Sequence, residues 1–301
     1  MSKRIAITGA SGLVGSAVAG SFAADGWEVV SMVRKATEKS SGVYWNPVTG
    51  EIEADKLEGV DAVVHLAGDN VGEGRWSEDK KQRMWSSRID GTRLLAGALA
   101  GLKDPPKVWV SASAIGYYGD RGEERLEEGS GAGKGFFAEL CQAWEAETAP
   151  AREKGIRVVN LRIGVVMDRA GGALPKMVTP FKMGLGGVIA SGRQYMSWVS
   201  LDDVVGAIRF AVSHEDFSGP ANATAPSPVT NREFTKTLGR VLGRPTIFPM
   251  PGPLAKLAFG AEKANEMLLV SSRIYPAALQ AAGYEFKYPE LEPCLRAALK
   301  G

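Results

Sequence analysis

The sequence TGASGLVG, residues 8–15, overlaps the end of the short apolar segment Arg4–Thr8 and leads into a predicted apolar helix. Gly9 permits a tight turn, Gly12 allows backbone amides to approach a pyrophosphate, and Gly15 allows the helix to pack closely on the strand. The helix N-terminus offers N–H groups and a partial positive charge to phosphates. The stretch therefore predicts a dinucleotide-binding turn, with a purely structural glycine turn as the alternative. The residues expected to contact the cofactor here are Gly9, Ser11, Gly12, Leu13, Val14 and Gly15.

The end of the second predicted strand, Glu28–Val33, decides between NAD and NADP. Proteins that bind NAD usually place an Asp or Glu at this end, where it holds the 2′-hydroxyl of the adenosine ribose. Glu28 stands at the opposite end of the strand, whereas Arg34 and Lys35 directly follow Val33. A guanidinium group suits a 2′-phosphate because it can donate two parallel hydrogen bonds. The sequence therefore favours NADP(H), with Val33, Arg34 and Lys35 at its adenosine end, and a solvated basic turn is the alternative.

Short apolar strands alternate with helices through the first half of the chain. The predicted strands are Arg4–Thr8, Glu28–Val33, 61–66, 108–111 and Arg157–Ile163, with a small excursion around residues 43–45. The predicted helices of this half cover residues 13–25, 77–102 and 136–154. Almost wholly apolar strands that alternate with helices are typical of a parallel sheet covered on both faces. The predicted fold class is therefore α/β, a Rossmann-type doubly wound parallel sheet with a smaller C-terminal substrate lobe.

The sequence changes character after residue 166, where glycine-rich stretches and shorter helices follow. A capping box at Thr230 and Glu233 predicts a helix that ends near Gly243, and a helical tail closes the chain. We expect residues 1–166 to form a dinucleotide-binding Rossmann domain, to which about 197–224 also contribute, and residues 167–301 to form a smaller, partly helical substrate-binding lobe.

Composition and charge narrow the function classes. The chain has 301 residues, 45% of them hydrophobic, and its net charge of +2 is spread without a basic block, so no nucleic-acid partner is expected. No apolar run approaches the roughly 18–20 residues that span a bilayer, so membrane association is not expected either. The start of the chain lacks the pattern of a signal or transit peptide, which favours a cytoplasmic location. The two cysteines and two histidines are not spaced along the sequence like metal ligands, so no metal site is predicted. They are Cys141, Cys294, His65 and His214.

Several sequence blocks, taken in order, carry a resemblance to a known family. These blocks are TGASGLVG (8–15), HLAG (65–68), SASAIGYYG (111–119), LRIGVV (161–166) and SWVSLDDV (197–204). They resemble the extended short-chain dehydrogenase/reductase family, also called the NAD-dependent epimerase/dehydratase family. A subgroup of epimerase-family oxidoreductases with a DUF1731-like C-terminal segment is the most similar, through GRW (74–76), SR (87–88), WEAE (144–147) and YPEL (288–291). The resemblance implies a Rossmann-type fold, a nicotinamide cofactor and oxidoreductase or epimerase chemistry on a small molecule.

The catalytic groups of that family are only partly present. In the family, a Ser or Thr after the fifth strand works with a Tyr-x-x-x-Lys pair, in which the lysine lowers the tyrosine pKa and the tyrosine transfers a proton. The family's Glu four residues beyond the lysine fits Glu145, which places Cys141 at the lysine position and Phe137 at the tyrosine position. Ser113 matches the serine. The standard mechanism therefore cannot be carried over to this chain.

Tyr117 and Tyr118 follow Ser113 at the sheet edge where ligands of open α/β sheets bind. One of them would serve as a relocated proton donor, and ordinary aromatic packing is the alternative. The candidate catalytic residues are therefore Ser113, Tyr117 and Tyr118. His65 is expected to pack beside the cofactor rather than act as a base. Further cofactor contacts implied by the resemblance are Leu66, Ala67, Gly68, Arg88, Ser111 and Val165, and for Arg88 a solvated helix face is the alternative.

A mixture of cations and aromatic rings is expected to line the substrate cleft. Such a lining would suit an anionic or ring-bearing small molecule. The residues proposed for it are Arg75, Trp76, Arg193, Tyr195 and Trp198.

Two functions are consistent with these patterns. The preferred one is an NADP(H)-binding oxidoreductase or epimerase-like enzyme with a rebuilt proton relay, because Ser113, the two tyrosines and a substrate lobe are present. The second is a non-catalytic NADP(H)-binding regulatory or redox-sensing protein, which the missing Tyr-x-x-x-Lys pair favours. The helices predicted at 77–102 and 136–154 resemble those that pair extended short-chain enzymes, so a monomer or a homodimer is expected.

Overall fold

The strands and helices below come from a computed structural model that describes residues 2–34 and 42–300. The strands are β1 (Arg4–Thr8), β2 (Glu28–Val33), β3 (Val43–Asn46), β4 (Glu51–Ile52), β5 (Ala62–His65), β6 (Val108–Ala114), β7 (Arg125–Leu126), β8 (Arg157–Ile163), β9 (Val165–Met167), β10 (Tyr195–Met196), β11 (Trp198–Ser200), β12 (Gly219–Ala223), β13 (Val229–Thr230) and β14 (Arg273–Ile274). The α-helices are α1 (Leu13–Ala24), α2 (Glu78–Gly101), α3 (Phe136–Ala146), α4 (Ala149–Glu153), α5 (Leu174–Lys182), α6 (Leu201–Ser213), α7 (Asn231–Leu242), α8 (Gly252–Phe259), α9 (Ala261–Ala264), α10 (Ala277–Ala281) and α11 (Leu291–Lys300). Short 3-10 turns cover Ala54–Leu57 and Ile115–Tyr118, and a π-helical turn covers Asn265–Leu269.

A central sheet carries the fold. Within the described residues it has eight strands in the order β12-β8-β6-β5-β1-β2-β3-β4, and its neighbours are parallel except for β3 and β4. Ile5 and Ile7 of β1 pack with side chains of α1 and α6, while Ala6 packs with α2 on the opposite face. Successive strand residues point to opposite faces, so an almost wholly apolar strand needs a helical layer on each side. The predicted Rossmann-type doubly wound α/β fold is confirmed.

Two stretches differ from the sequence prediction. The small excursion expected around residues 43–45 is β3, a full member of the sheet that pairs in parallel with β2. The single helix expected over 136–154 is two helices, α3 and α4, and Pro150 is in the first turn of α4. Proline lacks the N–H that a continuous helix uses, and its ring meets the carbonyl four residues earlier, so the helix is interrupted before it.

The predicted capping box at the start of α7 is present. Thr230 Oγ1 accepts a hydrogen bond from the Glu233 amide, and the Glu233 carboxylate accepts one from the Thr230 amide. The helix ends at Gly243, whose φ of 63° is left-handed.

The lobe boundaries drawn from the sequence remain a prediction, although β12 adds residues 219–223 to the central sheet.

Two carboxylates attach the C-terminal segments to the part of the chain that carries the sheet. Asp203, in the first turn of α6, accepts a hydrogen bond of 2.7 Å from the Lys287 amide. Glu266 accepts hydrogen bonds of 3.0 Å from the amides of Phe136 and Phe137, which have no partner within α3 because they open this helix. The C-terminal segments therefore cap the start of α3 through Glu266 and are held at the first turn of α6 by Asp203.

Residues 2–34 and 42–300 contain no helix that is both long and apolar enough to cross a bilayer. The same ranges contain no group of three or more His, Cys, Asp or Glu side chains placed to share a metal ion. Cys141 and Cys294 are both buried and carry free thiols.

Candidate functional site

The glycine-rich turn between β1 and α1 has the geometry that its sequence predicts. Gly9 has a φ of +69°, and a Cβ there would lie 3.0 Å from the Ala67 nitrogen. A Cβ on Gly15 would lie 2.1 Å from the Gly9 oxygen, so only glycine fits. Gly12 is the N-cap residue of α1, and no side chain of the described part caps this helix. The first N–H groups of α1 therefore keep the capacity to bind an anion such as a diphosphate.

A buried threonine and a buried histidine fix the loop beside this turn. Thr8 Oγ1 accepts hydrogen bonds from the amides of Leu66 (3.0 Å) and Ala67 (3.2 Å) and lies 2.7 Å from His65 Nδ1. Because the hydroxyl already accepts two amides, it donates its own proton to Nδ1, and His65 Nε2 then donates to Thr92 Oγ1 at 3.1 Å. Burial, with a smaller contribution from a nearby guanidinium, lowers the pKa of His65 to about 3. The imidazole is therefore neutral and holds the loop in place.

Arg88 of α2 lies under the same loop and is only 8% exposed. Its Nη1 donates to the carbonyls of Asp69 (3.1 Å) and Met84 (3.2 Å), and Nε has no hydrogen-bond partner in the described part of the chain. A Cβ on Gly68 would lie 3.0 Å from Arg88 Cζ, so the glycine makes room for the guanidinium. Burial lowers the pKa of Arg88. Among the described residues the guanidinium bonds to carbonyls and lies 5.0 Å from the centroid of the Trp144 ring, with no carboxylate bonded to it. Such a buried cation fits a ligand that brings phosphate or ribose oxygens, and its burial excludes a solvated helix face.

Five side chains form a hydrogen-bonded chain at the carboxyl ends of β6 and β8, which we call the buried network. Ser113 lies beside Arg162 in the sheet register, and its Oγ donates to Glu145 Oε1 at 2.6 Å. Arg162 donates to both carboxylate oxygens of Glu145, each at 2.8 Å. Arg162 Nη1 also donates to the Tyr118 hydroxyl at 2.9 Å, and this hydroxyl donates to Asn222 Oδ1 at 2.8 Å. The network therefore links Ser113 to an ion pair and a phenol.

The two tyrosines after β6 have different surroundings. Tyr118 has no exposed surface, and burial raises its pKa to about 12 despite the adjacent Arg162. Tyr117 is half-buried, and its ring centroid lies 3.5 Å from Arg162 Cζ. Burial alone would lower the pKa of Arg162, but the hydrogen bonds and charge of Glu145 raise it. Because Tyr118 is fully buried, its hydroxyl is not placed for the substrate contact that the sequence leads us to expect. Tyr117 is the phenol nearer the surface.

Helix α3 carries Phe137 and Cys141, the two residues that the resemblance aligns with the family's tyrosine and lysine. Phe137 packs on the turn after Ser113, because a Cβ on Gly116 would lie 2.0 Å from Phe137 Cδ1. Cys141 has no exposed surface, and burial, followed by the charge of Glu145, raises its pKa to about 12. Neither side chain can exchange a proton with a ligand near neutral pH.

The other residues predicted to contact a cofactor lie along the same edge of the sheet. Arg34 is exposed directly after β2, and Lys35 lies outside the described residues. Ser111 is buried on β6, and its hydroxyl has no hydrogen-bond partner among residues 2–34 and 42–300. Exposed positions are Ser11, Gly12 and Gly68, and half-buried ones are Leu13, Val14, Val33, Leu66, Ala67 and Val165.

The residues expected to line a substrate cleft do not form one cluster. Arg75 donates to a carbonyl of α8 at 3.0 Å, and Trp76 faces the aromatic rings that open α3. Arg193 is 79% exposed and pairs with a surface glutamate, while Tyr195 is half-buried on β10. Trp198 has no exposed surface, because it belongs to the apolar core of the C-terminal part. The expectation that Trp198 lines a cleft is wrong.

Arg162, the partner of Glu145, is a functional residue that the sequence prediction does not include. A signal was present, because Arg162 stands inside the apolar strand β8 and is 3% exposed. A charged residue in a buried strand needs an acidic partner to offset its desolvation. Asn222 gave no comparable signal, since polar residues at strand ends are common.

The glycine-rich turn, the doubly wound sheet and the polar groups at its carboxyl edge define the class of protein, a Rossmann-type α/β protein. Residues 5–223 match the NAD dependent epimerase/dehydratase family, and residues 250–298 match a domain of unknown function, DUF1731. The chain belongs to the NAD dependent epimerase/dehydratase family.

Individual relatives match almost the whole chain. An epimerase family protein of Mycobacterium leprae is 44% identical over 284 residues, 94% of this chain and 92% of that protein. The crystal structure of human epimerase family protein SDR39U1 with NADPH superposes with a TM-score of 0.90 and 34% identity, covering 99% of each chain. A nucleoside-diphosphate sugar epimerase of Corynebacterium glutamicum gives a TM-score of 0.81 and 34% identity over 99% of this chain and 58% of that one.

Proposed function

We propose that the protein binds NADP(H) at the carboxyl edge of the central sheet and acts as an oxidoreductase or epimerase-like enzyme on a small molecule. The human relative at 34% identity was crystallised with NADPH, which supports this choice of cofactor. The diphosphate would bind the amides of residues 9–15 at the start of α1. Arg34 would pair with the 2′-phosphate, and Arg88 would reach the cofactor through the space that Gly68 leaves. When bound, the cofactor supplies the hydride acceptor or donor.

Further contacts of the cofactor are proposed from their places along this edge. Ser111 has a buried hydroxyl without a partner in the described part of the chain, which a ligand hydroxyl would satisfy. The remaining proposed contacts are Val33, Leu66, Ala67, Val165 and, outside the described residues, Lys35.

The observation that carries the catalytic proposal is the 2.6 Å hydrogen bond from Ser113 Oγ to Glu145 Oε1. Because Ser113 directs its proton to Glu145, its oxygen keeps a lone pair that can accept the proton of a substrate hydroxyl. As the substrate carbon loses its hydride, the substrate proton moves to Ser113 Oγ and the serine proton moves to Glu145. In the reducing direction both protons return, and the substrate carbonyl oxygen becomes a hydroxyl. This relay would replace the Tyr-x-x-x-Lys pair.

The other members of the buried network have supporting roles in this proposal. Arg162 holds both oxygens of Glu145 and so orients the carboxylate toward Ser113. Tyr117, half-buried and stacked on Arg162, is the second group proposed to contact the substrate oxygen. Tyr118 is proposed as a positioning residue, because its hydroxyl links Arg162 to Asn222 inside the protein.

The second candidate function is a non-catalytic NADP(H)-binding regulator or redox sensor. Phe137 and the buried thiol of Cys141 favour it, because neither can serve as a proton donor near neutral pH. Such a protein would retain the glycine-rich turn and Arg88 and would turn over no substrate.

Titration of nicotinamide fluorescence tests the cofactor. NADPH should bind more tightly than NADH, and Arg34→Ala should weaken NADPH binding about tenfold, roughly 1.4 kcal/mol, while leaving NADH unchanged. Arg244→Ala, an exposed arginine beyond α7, is the matched control and should change neither affinity. No saturable binding of NADPH would sink the proposed function, whereas equal affinities for NADPH and NADH would remove only the role of Arg34.

Turnover distinguishes the two candidate functions. A panel of carbonyl compounds and nucleotide sugars would be screened with NADPH, with nicotinamide absorbance as the readout. Once a substrate is found, Ser113→Ala and Glu145→Gln should each lower kcat at least about a hundredfold without weakening NADPH binding. Ser86→Ala, whose hydroxyl bonds only within α2, is the control. Tight cofactor binding without turnover across the panel would favour the sensor.

The expected cytoplasmic location and the monomeric or homodimeric state stay predictions. Size-exclusion chromatography with light scattering would decide the second.

A further inference from the structure

Two lysines of the C-terminal part converge on one carbonyl oxygen. Lys176 of α5 donates to the Gly72 oxygen at 3.0 Å. Lys263 of α9 donates to the same oxygen at 3.0 Å and to the Gly74 oxygen at 2.7 Å. The two ammonium nitrogens are therefore no more than 6.0 Å apart, twice the contact distance. Two positive charges at this separation repel each other unless a negative charge lies beside them.

The carboxylates of the neighbouring loop are engaged elsewhere. Asp69 pairs with Lys80 at 2.7 Å, and Glu73 accepts a hydrogen bond from a loop amide side chain at 2.9 Å. Lys263 is only 9% exposed, and burial lowers its pKa, followed by the charges of Lys176 and Lys80. In the described part of the chain the hydrogen bonds of Lys176 and Lys263 go to backbone carbonyls alone. A buried ammonium group in such surroundings lacks full compensation for its lost hydration.

The loop that supplies both carbonyls runs from the glycine-rich turn toward α3. Its first residues touch Gly9, and the ring of Trp76 near its end lies 6.0 Å from the ring of Phe137. The segment that leads into α5 touches the turn from another side, since a Cβ on Gly171 would lie 3.4 Å from the side chain of Leu13. The loop whose carbonyls hold the lysine pair therefore contacts the turn at its start and α3 near its end.

We propose that Lys176 and Lys263 form an oxyanion site that binds an acidic group, carboxylate or phosphate, of the substrate. An oxyanion between the two ammonium groups would replace the Gly72 carbonyl and cancel their mutual repulsion. The inference rests on the proposed function, because it assigns the oxyanion to the substrate rather than to the cofactor. The substrate class is then a small molecule with a hydroxyl or carbonyl group and a separate acidic group. The anion is held by these lysines rather than by Arg193, which pairs with a glutamate at the surface.

Calorimetric titration of the full chain tests the site. Protein saturated with NADPH would be titrated with inorganic phosphate and with malonate as probes. Both should bind, and Lys176→Met and Lys263→Met should each weaken their binding at least about tenfold. Lys256→Met, an exposed lysine of the neighbouring helix α8, is the matched control and should leave anion binding unchanged. NADPH affinity, measured separately by fluorescence, should be the same in all variants.

The possible outcomes separate the site from the proposed function. Equal anion affinity in wild type and both lysine variants would overturn the site. Anion binding that disappears when NADPH saturates the protein would also overturn it, because the lysines would then serve the cofactor phosphates. Lysine-dependent anion binding in a protein that does not bind NADPH would support the site and contradict the proposed function. Because Lys263 is buried, circular dichroism would verify folding, and the exposed Lys176→Met decides the question if Lys263→Met unfolds.

Discussion

The glycine-rich turn and the buried network share one edge of the sheet, but they are built from different parts of the chain. The turn consists of consecutive residues, 8–15, and acts through backbone groups and missing side chains. The network takes one side chain each from β6, the turn after it, α3, β8 and β12, between residues 113 and 222. The turn therefore depends on local shape, whereas the network depends on the whole sheet being assembled.

This difference sets what each region tolerates. The turn excludes a Cβ at Gly15, because it would lie 2.1 Å from the Gly9 oxygen, but neighbouring surface side chains can vary. The network does not tolerate the loss of either charged partner. The Glu145 and Arg162 side chains are only 12% and 3% exposed, so removing one would leave the other buried without a counter-charge, at a large desolvation cost. Substitutions in the two regions should therefore fail in different ways.

Arg162→Met should have the largest effect and should sharpen the contrast. It leaves the Glu145 carboxylate buried without its cation, so the free energy of unfolding should fall by about 3–5 kcal/mol in urea titrations. NADPH affinity of the folded fraction should change little, because the turn is built independently.

The matched control is Arg93→Met, which removes an arginine that also donates twice to one glutamate, Glu147, but at the surface. Arg93 is 59% exposed, so its loss should cost about 1 kcal/mol or less. A second check is the pair Arg162→Met with Glu145→Leu, which should regain stability because no charge is left buried. Similar losses for Arg162→Met and Arg93→Met would show that the network is not the desolvated ion pair described above.

Gly15→Ala should have the next largest effect. In contrast to Arg162→Met, it should mainly weaken NADPH binding and cost less stability. The added Cβ overlaps the Gly9 carbonyl at 2.1 Å, so the turn must move, which should cost about 1–3 kcal/mol of stability and weaken NADPH binding at least about tenfold. Gly20→Ala lies on the same helix with nothing within 4 Å of its Cβ, and it should stabilise the protein by up to about 1 kcal/mol. Fluorescence titration of NADPH and thermal unfolding measure both. Unchanged NADPH affinity in Gly15→Ala would break the contrast between the regions.

The sequence predicted the turn because its determinants are local. Strand β1, the three glycines and the start of α1 follow from apolar runs and glycine spacing, and the structure reproduces their bounds. The capping box at Thr230 was predicted for the same reason. Pro150 is a local signal as well, and it marks the break in the helix predicted over 136–154.

The buried network could not be derived in the same way. The sequence indicates Glu145 only through its spacing from the family's lysine position, because nothing near it in sequence identifies Arg162 as its partner. Their contact depends on the parallel pairing of β6 with β8 and on where α3 packs across them. The burial of Trp198 has the same origin, since an aromatic residue between polar neighbours fits a cleft and a core equally well until the packing is known. Which side chains meet across a sheet depends on the tertiary structure, so it cannot be derived from local sequence patterns.

His65 joins the turn to the β5 loop and gives the smallest expected effect, a pH dependence of stability. Its pKa is about 3 in the folded protein and about 6.5 in the unfolded chain, so below pH 6.5 the unfolded state binds more protons. The free energy of unfolding should therefore be highest above pH 6.5 and should fall as the pH is lowered, by about 1 kcal/mol between pH 6.5 and 5.5 from this group alone. Urea unfolding across this range measures the slope, and His65→Gln should reduce it. A contradicting result would be a His65 imidazole resonance that titrates near pH 6.5, because it would show that water reaches the ring. The loop beside the glycine-rich turn would then not be held by a buried neutral histidine.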